Sequence, residues 1–549
     1  MGLRLVPLGG LGEIGMNAMV VEANGRRLLV DCGVLFPRLE RGRGFDVYVP
    51  DLTYLRQQLG ALDAIVITHG HEDHLGALPL LLREVQVPVY GGPFALRLLE
   101  NRLEEYDIEA DLHTMRAGDR FSAGPFEVES IHVNHSIPDA MGLAIRGEFG
   151  AVVHTGDFKI DPTPFEGKPT DLEAFKRARG ATVLLSDSTN AEREGTTPSE
   201  TVVAKTLREI VEGATGRVVI TMFASHLIRL QQLIEVCAAT NRKLVVVGRG
   251  MTENLRIGQE LGMLRGASAV VIHEDQLDQL KPHEVMLATT GAQGEPRSAL
   301  WRMTFDPEWK HRIRAGDLVV FSARAIPGNE LSIQELVNGL WERGATVLTG
   351  ESHIGDGHIH VSGHASRDEQ RQILEAVRPE TFIPIHGEAR QLARHIHLAR
   401  EAVPDAQCLL ARDGDIVDFA APGSAQVTGQ APFGRVAQAT RAGPLVPRET
   451  ILLRGQLSEG GVVSVLLLID RSSGMLLRSP ELHGLGLVDP NGLMLLRARE
   501  DVRDELATLS DYARRDPNEI REAAIRAVQR TFRKQYERRP AVQALVVEV

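Results

Sequence analysis

Apolar positions in this chain fall in short runs that end at turns, the pattern of strands buried in a mixed fold. Residues 3–8 predict a strand. Residues 18–22 and 27–31 are two more, joined by Ala23-Asn24-Gly25 as a hairpin. Residues 64–68 (AIVIT) form a short buried strand leading into His69, and residues 75–84 have helical spacing. Residues 151–155 and 182–186 are further strands, each ending in an Asp-containing turn.

From about Ser199 the period changes. Helices over 199–212, 226–240 and 332–343 alternate with strands over 217–222, 243–247, 318–322 and 346–348. Such alternation predicts a parallel sheet with crossover helices. Ser366 and Glu369 form a capping box that starts a helix reaching Val377, and residues 381–385 are a strand ending at His386-Gly387-Glu388. Residues 420–447, rich in Gly, Pro, Ala and Gln, read as a linker. A small α+β module closes the chain. Its strands are 461–470, 492–497 and 541–549, and its helices 501–515 and 518–538.

With 549 residues the chain exceeds one core, and ~150 residues per domain predicts about three to four domains. The net charge of −12 gives no support to nonspecific nucleic-acid binding by the whole surface, though a local basic channel is compatible with it. Cys32, Cys237 and Cys408 form no CxxC pair, so neither a disulfide framework nor a thiolate zinc site is expected. No signal-peptide core opens the chain, and the apolar run 462–469 is too short to span a bilayer. The expectation is a cytoplasmic protein without a membrane contact.

Gly10-Leu11-Gly12-Glu13-Ile14-Gly15 fits a dinucleotide-binding fingerprint, with Asp31 at the ribose position. That reading requires a helix to start at the glycines. Residues 18–31 read instead as a hairpin, so the glycines are expected to form a tight turn near the site.

The chemistry concentrates in His69-Gly70-His71-Glu72-Asp73-His74. Extended backbone sends alternate side chains one way, so His69 and His71 can face one ion, and Asp73 and His74 a second beyond the turn. Imidazole and carboxylate are the ligand types of zinc and manganese in hydrolytic sites. His135, Asp157 and His386 are further candidates, each at a separate strand end.

This motif, with Asp31 upstream and His135 and Asp157 downstream, resembles the metallo-β-lactamase superfamily, which implies an αββα sandwich over roughly residues 1–200. Ser186-Asp187-Ser188-Thr189-Asn190, His360-Val361-Ser362-Gly363-His364-Ala365 and His386 resemble the three motifs of the β-CASP nucleases. Together with the opening glycines and the closing module, their order resembles the bacterial ribonuclease J family over essentially the whole chain. The resemblance implies a metallo-β-lactamase domain over 1–204 and 365–420, an inserted α/β β-CASP domain over 205–364, a linker over 421–450 and an α+β C-terminal domain over 451–549.

It also implies roles. His69, His71, His135 and Asp157 would hold one divalent ion, and Asp73, His74, Asp157 and His386 the other, as zinc, manganese or both. Asp31 would brace the histidine loop. His364 is the expected general acid and Asp187 its orienting partner, or that of the attacking hydroxide. Ser225, His226, His360, Ser362 and Gly363 are expected to contact the 5′-phosphate, since Phe223-Ala224-Ser225-His226 ends a strand and opens a helix. The expected substrate is single-stranded RNA with a 5′-monophosphate, digested from that end and also cut internally, in RNA decay and maturation. A histidine at position 386 favours RNA over DNA. The C-terminal domain is expected to form a homodimer or higher homo-oligomer, with other RNA-decay proteins as further partners. The rivals are another hydrolase of the superfamily acting on a small ester or thioester, which the inserted domain and the Ser362-Gly363-His364-Ala365 motif disfavour, a DNA-acting β-CASP nuclease, and a non-catalytic scaffold subunit, which the filled ligand positions disfavour. His132, His353 and His358 receive no role, His395 and His397 are placed on a solvent-facing helix, and the basic stretch Arg526 to Arg539 is read as a solvated helix face.

Overall fold

The computed structural model describes residues 2–37, 44–326, 328–350, 352, 357–421, 423–440, 442–489, 491–536 and 539–549; His353 lies outside them. The chain divides into two units, residues 1–39 with 47–435, and residues 40–46 with 436–549.

The first unit is built on two facing sheets. The Asn24-Gly25 hairpin forms as read, with both residues at positive φ (51° and 74°), and joins Ala18–Ala23 to Arg26–Val30. These belong to an eight-stranded sheet that continues through Leu62–Val66. The seven-stranded sheet places Phe126–His132, Met141–Gly147, Gly150–His154, Val183–Asp187 and Thr381–Ile385 side by side. Its residues alternate. Val183 and Leu185 join Leu5, Val21 and Leu28 of the first sheet in one core, while Leu184 packs outward with Phe175, Ile373 and Leu374 of covering helices. This period of two, buried on both faces, makes the apolar runs of these strands continuous.

The inserted α/β region contains a five-stranded parallel sheet. Lys243–Val247 and Val285–Thr289 stand on one side of Val218–Thr221, with Leu318–Phe321 and Thr346–Leu348 on the other. Val218 and Ile220 face one helical layer and Val219 the other, the burial expected of a sheet covered on both sides.

The second unit has its own sheet and core. Val462–Ile469 lies between Glu481–Leu485 and Ala541–Glu548, and helices Leu493–Ala507 and Pro517–Tyr536 pack on it. Among the described residues no helix is long and apolar enough to cross a membrane.

Four expectations are corrected. The helix over 75–84 is two short pieces, Glu72–Leu75 and Leu78–Leu82, with Pro79 in the first turn of the second, where its missing N–H costs nothing. The linker over 421–450 is not a linker. Ala425–Gln430 is an edge strand paired to Asp415–Phe419, and Arg448–Gly460 is a helix. Only Ala425 of that strand is buried, so the backbone ladder, with side-chain bonds from Thr428 to Asp418 and between Gln407 and Ala425, holds it and no hydrophobic signature announced it. The strand over 492–497 is the start of a helix, because Met494, Ala498, Val502 and Leu506 continue a four-residue period into the core. The helix Ala389–Ala402 turns His395 inward, fully buried against Phe382.

Candidate metal centre

The histidine run leaves the strand Leu62–Val66 over a brace made by Asp31, whose φ of 60° is left-handed for a non-glycine residue. Asp31 accepts hydrogen bonds from Thr68 N (2.7 Å) and Thr68 Oγ1 (2.8 Å), and its Oδ2 lies 2.8 Å from His74 Nδ1. A carboxylate on Nδ1 fixes that proton there and leaves Nε2 its lone pair. His74 Nε2 stands 3.3 Å from Asp157 and 3.8 Å from Asp73, and the Asn17 amide also reaches it at 3.0 Å. His71 begins the short helix Glu72–Leu75, and Gly33 lets that helix approach, since a Cβ there would sit 1.7 Å from Asp73 O.

The other sheet supplies its groups from separate strand ends. His135 Nδ1 donates to Gly363 O (2.8 Å), which turns Nε2 to within 3.2 Å of His71 Nδ1. Gly363 is required there, because a Cβ would lie 2.9 Å from the His135 ring. Asp157 Oδ2 stands 3.8 Å from His69, 3.9 Å from His135 and 3.6 Å from His386, all at Nε2. His386, at φ 51°, donates from Nδ1 to Thr189 Oγ1 (2.8 Å), and its Nε2 is 3.4 Å from Asp73. The glycine turn sits beside it: Leu11–Gly12 pairs with Gly387–Glu388. The dinucleotide fingerprint is therefore part of the scaffold of this site.

Among the described residues, four overlapping groups could hold a cation, with donor atoms within 4.8 Å of one another: His69–His71–His135, His69–His74–Asp157, Asp73–His74–His386, and Asp157–Asp187–His364–His386. Every expected ligand thus lies in one cluster. Donors about 2.0 Å from a tetrahedral ion stand about 3.3 Å apart, and His69 Nε2 to His71 Nδ1 is 3.0 Å. Ring nitrogens meeting this closely in a buried place suit a cation between them and suit packing poorly.

The electrostatics divide the histidines. Burial holds His69 and His135 well below the usual imidazole value, and His71 at about 4, so their rings are neutral ligands. Burial also opposes charge on His74 and His386. For these two, carboxylates outweigh it: Asp157, Asp31 and Asp73 raise His74, and Asp157, Asp187 and Asp73 raise His386 to about 10. Against the opposing effect of burial, these imidazoles hold Asp73 and Asp157 below the ordinary carboxylate range.

His364 Nδ1 lies 2.8 Å from Asp187 Oδ2 and 4.0 Å from Asp157. Burial disfavours its charged form, yet the two carboxylates raise its pKa overall, Asp187 foremost. The second carboxylate oxygen of Asp187 accepts from Thr189 N (2.9 Å) and Thr189 Oγ1 (2.7 Å).

The expected phosphate contacts fare unevenly. Ser225 and His360 are half-buried, and Ser362 Oγ accepts from Asn190 Nδ2 (2.8 Å) and His364 N (3.2 Å). His226 is not available. It is 1% exposed, caps its own helix through Nδ1, which accepts from Arg229 N, and turns Nε2 to Glu200 at 3.3 Å. The residue is an N-cap, which its place after a strand and before an apolar run also allows.

Several residues support the site in ways the sequence did not show, even where, as for Asn190 and Glu369, they lie in motifs already identified. Asn190 and Thr197 both donate to His364 O, and Glu369 accepts from Ile160 N, Thr197 N and Ser366 N, tying the outgoing and returning crossovers together. Gln391 donates to Thr189 O, and His395 Nδ1 is 3.0 Å from Ser188 Oγ. Their signal was present: Gln391 and His395 share the helix stripe of Leu392, Ile396 and Ala399.

Comparison with known proteins follows the same layout. A β-lactamase superfamily domain matches residues 26–244, a ribonuclease J β-CASP domain 215–340, a zinc-dependent metallo-hydrolase RNA specificity domain 357–407, and a ribonuclease J C-terminal domain 450–549. Ribonuclease J of Mycobacterium tuberculosis is 39% identical over 557 residues, covering 100% of this chain and 98% of that protein. Ribonuclease J of Corynebacterium glutamicum is 37% identical, covering 100% of this chain and 76% of its own length. A solved protein of unknown function from Enterococcus faecalis shares the fold, with a TM-score of 0.51 at 15% identity over 75% of this chain and 99% of that one. The chain belongs to the ribonuclease J family, ribonucleases that join a metallo-β-lactamase fold to a β-CASP domain.

Proposed function

We propose that this chain hydrolyses RNA phosphodiester bonds with two divalent cations, working 5′ to 3′ from monophosphorylated ends and also cutting internally. The observation that carries the reading is Asp157, whose one carboxylate oxygen faces His69, His74, His135 and His386 within 4 Å. His69, His71, His135 and Asp157 would hold one cation, and Asp73, His74, Asp157 and His386 the other, with zinc or manganese suited to these donors. Cations in these seats supply Lewis acidity toward the phosphoryl group and lower the pKa of water to about 7.

The remaining work falls to the chain's own groups. His364 gives a proton to the leaving 3′-oxygen from Nε2, because Asp187 occupies Nδ1. Asp187 holds that ring and stabilises its charge. Asp31 keeps His74 in the tautomer that ligates. Ser225, His360, Ser362 and the backbone at Gly363 bind the 5′-phosphate, and capture of that end gives the enzyme its direction. In the second unit Leu485, Leu493 and Leu545 are 74%, 63% and 57% exposed, which supports this unit as the homo-oligomer contact. The setting is cytoplasmic RNA decay and maturation, alongside other decay proteins.

Incubating 5′-labelled monophosphorylated RNA with the protein and manganese tests the reading. Labelled mononucleotide is expected from the first time points and none without metal. Internal fragments alone would refute the exonuclease direction, and no hydrolysis with metal bound would refute the enzyme.

A further inference from the structure

Beneath the half-buried His360 lies a group of charges taken almost wholly out of water. Arg229 is 0% exposed and Glu200 is 3% exposed. Arg229 Nη2 donates to Glu200 Oε2 at 2.7 Å; its Nη1 donates to Ile359 O at 3.1 Å and to the Ser322 hydroxyl. Ser322 Oγ donates to the same Ile359 carbonyl at 2.6 Å. Glu200 also faces His226 Nε2, and Gln232 donates to its main-chain oxygen at 3.0 Å. Arg229 Nε and His360 Nδ1 are buried without a hydrogen-bond partner.

The location matters more than the strength. Glu200 opens the helix Glu200–Gly213 on the chain's way into the inserted sheet. Ile359 lies on the way back, one residue before His360 and three before Ser362. Arg229 and His226 stand in the first turn of the helix that follows Ser225. One guanidinium therefore ties the outgoing crossover, the returning crossover and the helix start to a common point. A buried ion pair is a poor source of stability, since an apolar pair of the same volume does as well or better. What it supplies is a fixed geometry, through donors in a rigid planar fork.

We propose that the Glu200–Arg229 pair is a positioning element for recognition of the RNA 5′ end. By fixing the Ile359 carbonyl it sets the His360–Gly363 wall against Ser225, so the pocket is already shaped when a terminal phosphate arrives. The inference rests on the proposed preference for 5′-monophosphate ends. Arg229 touches neither the reacting atoms nor the phosphate; it acts through the peptide it holds.

The test compares metal-loaded wild type with Arg229→Lys and Glu200→Gln on three RNAs of one sequence, bearing a 5′-monophosphate, a 5′-hydroxyl, or a blocked 5′ end that reports internal cleavage. Lysine keeps the charge but not the rigid two-nitrogen fork that serves Glu200 and Ile359, and glutamine keeps the shape without the charge. Wild type is expected to favour the monophosphate. In each variant the ratio of monophosphate to hydroxyl kcat/KM is expected to fall about tenfold or more, through KM, as small misplacements at a site do. Circular dichroism and metal content confirm that the variants tested are folded and loaded. Folded variants that keep the wild-type ratio, or lose all three activities in proportion, overturn the inference. A wild type that treats the two ends alike overturns the end-recognition reading itself, and that outcome is visible from the wild-type protein alone.

Discussion

The eight-stranded sheet delivers its share of the site in one piece, and the seven-stranded sheet delivers its share in fragments. From the first come Asp31 and the run His69 to His74, at the ends of the neighbouring strands Arg26–Val30 and Leu62–Val66. From the second come His135, Asp157, Asp187 and His386, each at a different strand end, with His364 on the returning crossover. The contiguous half braces itself locally, through Asp31, Thr68 and His74. The scattered half depends on bonds between distant segments, as when Thr189 joins Asp187 to His386 and Asn190 holds Ser362 and His364. The first half thus concentrates candidate cation ligands in one loop. The second sets around them the groups that, on the proposed reading, would complete binding and move protons.

The largest effect is expected where the halves meet. Asp157→Asn removes a carboxylate whose one oxygen faces four imidazoles drawn from both sheets. It should cost at least one bound divalent ion per chain and about 10³-fold in activity or more. Asp31→Asn, confined to the brace of the contiguous half, should weaken metal binding about 10- to 100-fold and leave residual activity that excess metal restores. Metal content by mass spectrometry, measured beside activity, separates them. An Asp157→Asn protein with full metal content would break the comparison at its centre.

Next comes a change in the scattered half alone. Asp187→Asn leaves the histidine run untouched, so most metal should remain while activity falls about 10²-fold or more. The pH profile carries the sharper signal. Burial lowers the His364 pKa, and Asp187 is the foremost of the groups that raise it above the ordinary value. The acid form is the one that donates a proton, so activity is lost as pH rises through that pKa. Without the Asp187 charge the largest raising influence is gone, so the His364 pKa falls and the alkaline limb of kcat should move to lower pH. A limb that stays in place would show that His364 is not the proton donor.

The same division explains what could be read from the chain. Three histidines and an aspartate within six residues announce a cation site by themselves, because their spacing alone brings them together. Apart from the family resemblance, His135, Asp157 and His386 could be nominated only as polar residues ending apolar strands; that they meet follows from sheet order, which pairs Gly150–His154 with Val183–Asp187 and that with Thr381–Ile385. Where burial decides the role, the sequence misleads. His226 and His395 look alike as histidines on helices, and both are buried, one capping beside Glu200 and the other beside Ser188. The edge strand Ala425–Gln430 escaped for the opposite reason, since its side chains are nearly all exposed and its place is fixed by hydrogen bonds rather than by apolar burial.

The smallest predicted effect lies where the glycine turn meets the His386 loop. Asp413 Oδ1 accepts from Leu11 N at 2.9 Å, beside the pairing of Leu11–Gly12 with Gly387–Glu388. Burial, with Glu13 nearby, pushes the Asp413 carboxyl from its ordinary 3.8 up to about 7. A carboxyl raised in the fold favours folding while it is protonated, so its contribution is full below about pH 4 and is lost as pH rises through about 7. Asp413→Asn keeps an oxygen for Leu11 N and cannot ionise. The variant should therefore melt above wild type at pH 8 and together with it at pH 4, by calorimetry at both pH values. Because the turn supports the His386 loop from the first sheet, a gain at pH 8 should leave metal content unaltered. An equal difference in Tm at the two pH values would mean that Asp413 is not held neutral by the fold, and that the junction of the two halves is tuned by something other than this carboxyl.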